Sequence, residues 1–119
     1  MFRMTIQLNE EKIEQEGKYS LGKMYDFLDE MFQKRGFHQI PDEKYARTYQ
    51  GTDDYKDFGR LGSIVLYLKN RKWFMSNVAV WLMLESENLE EPLEFFVYDA
   101  KRYYKEKEKD IWRKNALRQ

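Results

Sequence analysis

The sequence predicts an α+β domain built in the order strand, helix, strand, strand, helix, strand. Three observations carry that reading. Met4, Ile6 and Leu8 alternate with Thr5, Gln7 and Asn9, the period of a strand with one buried face. Leu21, Met24, Tyr25, Leu28, Met31 and Phe32 recur at helical spacing as one apolar stripe. Val78 to Leu84 is an almost unbroken apolar run of strand length, as expected of a central strand covered on both faces.

Each element has its own local reason. After the first strand, residues 9–18 are polar and acidic and end at Gly17, which fits a loop or a brief irregular helix. Ser20 is placed to cap the following helix, Lys34 and Arg35 suit its negative end, and Gly36 suits a left-handed stop. Phe37 to Ile40 reads as a short strand, and Pro41-Asp42 as a turn. Residues 44–50 then alternate Tyr45, Arg47 and Tyr49 with Ala46, Thr48 and Gln50.

The second helix is expected from a Thr52 cap, with Asp53 and Asp54 in the first turn where the helix dipole favours them. Phe58, Leu61, Ile64, Val65 and Leu68 mark its buried side. Gly59 and Gly62 weaken its interior by roughly 1 kcal/mol each against alanine, which suggests close approach of another backbone. A polar break at Asn70-Arg71-Lys72 and the Trp73-Phe74 pair precede the last strand. Residues 85–94 hold five glutamates and no basic residue and read as a linker. Leu93, Phe96, Val97, Ala100, Tyr104, Lys107 and Ile111 follow helical spacing as an extra C-terminal helix, with a short strand over residues 94–98 as the competing reading. The predicted organisation is a ferredoxin-like βαββαβ sandwich over residues 1–85, followed by an acidic linker and basic helix over 86–119.

Composition limits the function. A chain of 119 residues holds one core. The 21 basic and 21 acidic side chains cancel, so no global field draws the chain to nucleic acid or membrane. The cancellation is uneven: residues 101–119 carry a net +5 against −5 in the first hundred. A solvated helix accounts for the basic tail, and contact with an acidic partner surface is the alternative. The absence of cysteine and of any membrane-length apolar run leads to the expectation of a cytoplasmic protein without a membrane partner.

Few residues announce chemistry. His38 is the single histidine, and its position at a strand start suits a structural role. Asp53 and Asp54, with Asp57 one turn on, would make a carboxylate group for a metal, but capping explains the pair more simply, and no metal or cofactor is expected. Tyr45, Arg47 and Tyr49 share one strand face and form the candidate RNA-binding set, because tyrosines stack on bases and arginine neutralises phosphate. Packing beneath a helix or at a dimer seam is the competing role for the same three side chains.

Several words of the sequence resemble the virulence-associated protein D (VapD) family. They are MTIQLN in the first strand, KYSLGKMYDFLDEMFQKRGF, KYARTYQGTDD, the KNRKWF that ends the second helix, and VAVWLMLE. The resemblance covers about residues 4–85, and residues 86–119 would extend beyond the family's usual chain. It implies a ferredoxin-like domain that dimerises through its sheet. It also implies kinship with the small CRISPR-associated adaptation nucleases and, for some members, endoribonuclease activity of the toxin–antitoxin kind.

The family's first strand resembles F-D-L-x, and its aspartate is the residue credited with phosphodiester cleavage. The matching window here is Ile6-Gln7-Leu8-Asn9. Gln7 is an amide that neither serves as a general base nor holds a divalent cation well; Glu10, three residues on, is the one nearby replacement. The expectations are therefore an RNA-binding or degenerate endoribonuclease scaffold or, alternatively, a homodimeric protein-interaction module or inhibitor without enzymatic activity.

Overall fold

The computed structural model describes residues 1–52, 54–86 and 96–106. Among these residues the elements follow in the order β1 (Phe2–Leu8), α1 (Glu10–Glu16), α2 (Leu21–Lys34), β2 (His38–Ile40), β3 (Arg47–Gln50), α3 (Asp57–Lys69), α4 (Lys72–Met75), β4 (Val78–Glu85) and β5 (Phe96–Asp99). The chain is α+β, with one five-stranded antiparallel sheet in the order β2-β3-β1-β4-β5.

The register sorts the side chains by face, since directly paired residues point the same way. Ile6 pairs with Trp81 and Arg47, and Met4 with Met83 and Tyr49. These residues face the helices, where Met4, Ile6, Tyr49 and Trp81 share one core with Leu28 and Phe32 of α2, Leu61 and Ile64 of α3, and Phe74 of α4. Trp81 sits edge-on to Phe74, and its indole N–H donates to the Met4 sulfur at 3.1 Å. The opposite face pairs Thr5 with Thr48 and Leu82, and Arg3 with Gln50 and Leu84. Thr5 and Thr48 are joined there by a 2.8 Å hydroxyl hydrogen bond, and Arg3 donates to Gln50 at 2.6 Å.

Local chemistry sets the helix boundaries. Residues 10–16 form a true helix, capped by the Asn9 side chain on the Lys12 N–H and stopped at Gly17, whose φ of 64° is left-handed. Ser20 caps α2 as expected, accepting from the Lys23 N–H, and Gly36 takes the left-handed conformation just after it with φ 83°. The second long helix departs from expectation. It begins at Asp57, so Thr52 is not its cap, and Asp54 instead accepts from the Lys56 N–H in the turn before it. Asp53 lies outside the described residues.

Gly59 and Gly62 have nothing within 4 Å of where a Cβ would stand, so no backbone approach explains them among the described residues. Gly51 is the glycine that a close neighbour does require, because a Cβ there would collide with the Asp57 carboxylate. The Trp73-Phe74 pair forms a helical turn, α4, that the sequence reading passed over.

The strands also differ in detail. The third is confined to Arg47–Gln50, because the Asp42 carboxylate accepts from the N–H groups of Lys44 and Tyr45 and turns that stretch away from the ladder. β4 is not covered on both faces: only Val78 and Trp81 are fully buried, at the helix-facing side and the strand start. Residues 96–99 form the competing strand rather than helix, pairing with Leu82–Glu85. Residues 100–106 are helical, and Tyr104 stacks on Trp81 with centroids 5.5 Å apart. The segment beyond residue 85 therefore contributes a strand to the same sheet. Leu93, Lys107 and Ile111 lie outside the described residues.

Candidate functional site

The polar residues concentrate where β1 ends. A register irregularity between Gln7 and Leu8 disturbs the β1–β4 ladder at this point. α1 starts two residues later and α2 crosses above, so Gln7, Glu10, Tyr25, Asp29, Arg47 and Tyr49 are brought together from four elements within one partly exposed cluster.

Gln7 occupies the centre. Its amide nitrogen donates to the Glu10 carboxylate, and to the Tyr25 hydroxyl at 3.4 Å. Its carbonyl accepts from the Ala46 N–H at 2.8 Å, tying β1 to the segment entering β3. Both ends of the amide are thus committed to protein partners. The Tyr25 hydroxyl donates to Glu10 at 3.1 Å and accepts from the Leu8 N–H at 3.1 Å. Burial pushes that phenol up to about 12; the Leu8 N–H opposes the shift, while the Glu10 carboxylate adds to it. Tyr25 is therefore a neutral hydrogen-bond donor across the physiological range.

A second group adjoins the first through the Tyr25 ring, which the Arg47 guanidinium overlies at 4.6 Å. Arg47 donates to Asp29 at 2.9 Å, and the Tyr49 hydroxyl donates to the same Asp29 oxygen at 2.6 Å. Burial opposes the Arg47 charge, but the bond to Asp29 and its negative charge outweigh it and hold the guanidinium more firmly protonated than usual. Burial, reinforced by Asp29, raises the Tyr49 phenol strongly. Phe32 lies flat on the Tyr49 ring, with centroids 3.9 Å apart and 4° between planes.

These contacts place the residues that the sequence singled out. Gln7 and Glu10 do meet. Arg47 and Tyr49 meet as well, but on the helix-covered side of the sheet, and Tyr49 is 1% exposed. Tyr45 stands apart, ahead of β3, with the Lys44 ammonium 5.2 Å above its ring. The three residues therefore form no continuous exposed stacking face. His38 is exposed at the start of β2, and Asp57 is buried against Gly51, 3.8 Å from Arg60. Among the described residues no group of three His, Cys, Asp or Glu side chains is disposed to hold a metal ion.

Sequence reasoning missed Tyr25 and Asp29. Tyr25 belongs to the apolar stripe of α2, and its ring lies in the core. Its placement four residues before Asp29 puts both on one side of α2, but only the crossing of α2 over the end of β1 gives that side a polar partner.

The cluster provides neutral and charged hydrogen-bond donors but no uncommitted base. Glu10 is bonded by Gln7 and Tyr25, and Asp29 by Arg47 and Tyr49. Such a set orders the junction of β1, β3 and α2 more readily than it activates water. No protein-family model matches the chain, and no curated protein sequence matches it.

Proposed function

We propose that this chain is a ferredoxin-like, VapD-like scaffold of the toxin–antitoxin kind that binds RNA and does not cleave it efficiently. The strand order β2-β3-β1-β4, with helices linking β1 to β2 and β3 to β4, supports the ferredoxin-like reading; β5 is then an addition at the β4 edge. The observation that carries the functional half is Gln7, an amide with both ends hydrogen-bonded at the end of β1, where the resemblance would put a catalytic carboxylate.

An RNA cleavage assay on the wild type and on Gln7→Asp tests this. The wild type should bind RNA at low salt and leave it intact, and the new carboxylate, placed beside Tyr25, should restore measurable cleavage. Wild-type cleavage abolished by Glu10→Gln would overturn the reading, because Glu10 would then supply the base.

A homodimeric interaction module is the second reading, and the open half of the sheet favours it. On the face opposite the core, Leu82 and Leu84 are partly exposed and Val97, paired with Leu84, is 61% exposed. Apolar side chains grouped in this way commonly mark an association surface.

A further inference from the structure

From Phe58 to Leu84 the chain carries Arg60, Lys69, Arg71 and Lys72 and not one acidic residue. This stretch bears +4 in a protein whose total is zero, so the remainder is −4. Three of the four cations fall together at the junction of α3 and α4, and Lys69, Arg71 and Lys72 are all exposed there. Among the described residues none of the three enters an ion pair.

The same junction gathers aromatic rings from three helices. Phe27 of α2 stacks against Tyr67 of α3 at 6.0 Å with 29° between planes, and meets the edge of Trp73 of α4 at 5.5 Å. The Arg71 guanidinium lies 4.1 Å above the Tyr67 ring. Phe27 is 42% exposed and Tyr67 and Trp73 are half-buried, so ring surface remains open to solvent beside cations that pair with rings rather than carboxylates, Lys69 lying 5.5 Å over Tyr104. Asp26 and Glu30 lie on α2 nearby, but Glu30 is occupied by Lys34 at 2.9 Å.

We propose that single-stranded RNA is held on this helix-layer surface, with bases stacking on Phe27 and Trp73 beside the Arg71–Tyr67 pair and with Lys69 and Lys72 taking phosphates. The proposal rests on the RNA-binding reading above and relocates the contact from the strand residues Tyr45, Arg47 and Tyr49 to the opposite side of α2. Charge complementarity selects the occupant. Cations without a carboxylate partner, among partly exposed rings, suit a polyanion that also presents flat apolar faces, which a single strand does and a duplex does not. An acidic peptide would satisfy the charges but leave the rings without planar partners.

The test uses the full chain and a fluorescent oligouridine, with binding followed as salt is raised. Replacing Lys69→Gln, Arg71→Gln and Lys72→Gln together should weaken binding at least tenfold. It should also flatten the slope of log affinity against log salt by about 1.4, given roughly 0.7 for each of the two phosphate contacts on a single strand. Phe27→Ala should weaken binding by about fivefold or more with the salt slope unchanged, since stacking is not an ionic term. A control of equal charge change, Lys18→Gln with Lys44→Gln and Lys56→Gln, should leave affinity within about twofold, and circular dichroism should show every variant folded.

If the wild type fails to bind oligouridine at low salt, the RNA reading itself falls. Should it bind while the two sets of charge variants weaken it equally, or while Phe27→Ala has no effect, RNA binding stands and this placement is wrong. Displacement of the RNA by polyglutamate at equal charge concentration would make the surface a docking site for acidic protein and overturn the proposal.

Discussion

Tyr25 shows how one side chain joins burial to chemistry. Its ring fills the α2–sheet core and its hydroxyl accepts from the buried Leu8 N–H beside the ladder irregularity. With a pKa raised to about 12 from an ordinary 10.0, the folded state keeps the phenol neutral after the unfolded chain has begun to ionise. The stability it contributes is therefore fully present below pH 10 and is lost as pH rises from 10 to 12. Tyr25→Phe should cost about 1–3 kcal/mol at neutral pH, because a buried N–H loses its acceptor. The variant's urea midpoint should then fall less than the wild type's between pH 10 and 12. An equally steep alkaline loss in the variant would assign that loss to other tyrosines.

Among the elements, α3 is where sequence and structure disagree most usefully. Two interior glycines, Gly59 and Gly62, look like the signature of a close backbone contact, yet open space surrounds both positions. They are then simply weak helix formers. Gly59→Ala and Gly62→Ala should each raise stability by up to about 1 kcal/mol in urea denaturation. Gly51→Ala should do the reverse, because its Cβ would meet the Asp57 carboxylate at the mouth of the same helix. The start of α3 was illegible for a related reason. Thr52 offers the chemistry of a cap, but Asp54 and the backbone bond from the Asp57 N–H to the Asp54 carbonyl organise a turn first. By contrast α2 was legible end to end, since its stripe, its Ser20 cap and Gly36 all act within one helix length.

For the whole molecule, the sheet has two unlike faces. One is sealed by helices around Trp81, and the other mixes the Thr5–Thr48 and Arg3–Gln50 contacts with apolar Leu82, Leu84 and Val97. If the second face pairs with its copy, light scattering at tens of micromolar should give twice the chain mass. Leu82→Lys should shift it to the monomer without unfolding the chain, because Leu82 is only partly buried. A monomer mass for the wild type would exclude the dimeric reading and leave the RNA-binding proposal standing alone. This test is independent of the helix-layer surface, since Phe27, Arg71 and Trp73 belong to the other side of the sheet.

The sequence by itself determined the α+β class, the first strand, the long α2 helix and the presence of an amide, Gln7, near the end of that strand. Those features depend on periodicity and residue type within a few turns of chain, where side-chain chemistry acts locally. Only the tertiary structure decided that residues 96–99 form a fifth strand, because an apolar stretch of ambiguous period takes its state from the edge it can pair with, and β4 offered one. Tertiary structure likewise decided that Arg47 and Tyr49 turn inward to Asp29. Strand alternation states which residues share a face but not which face the helices cover. That choice is made by burial of the larger apolar set, and it carried Arg47 and Tyr49 in with Met4, Ile6 and Trp81.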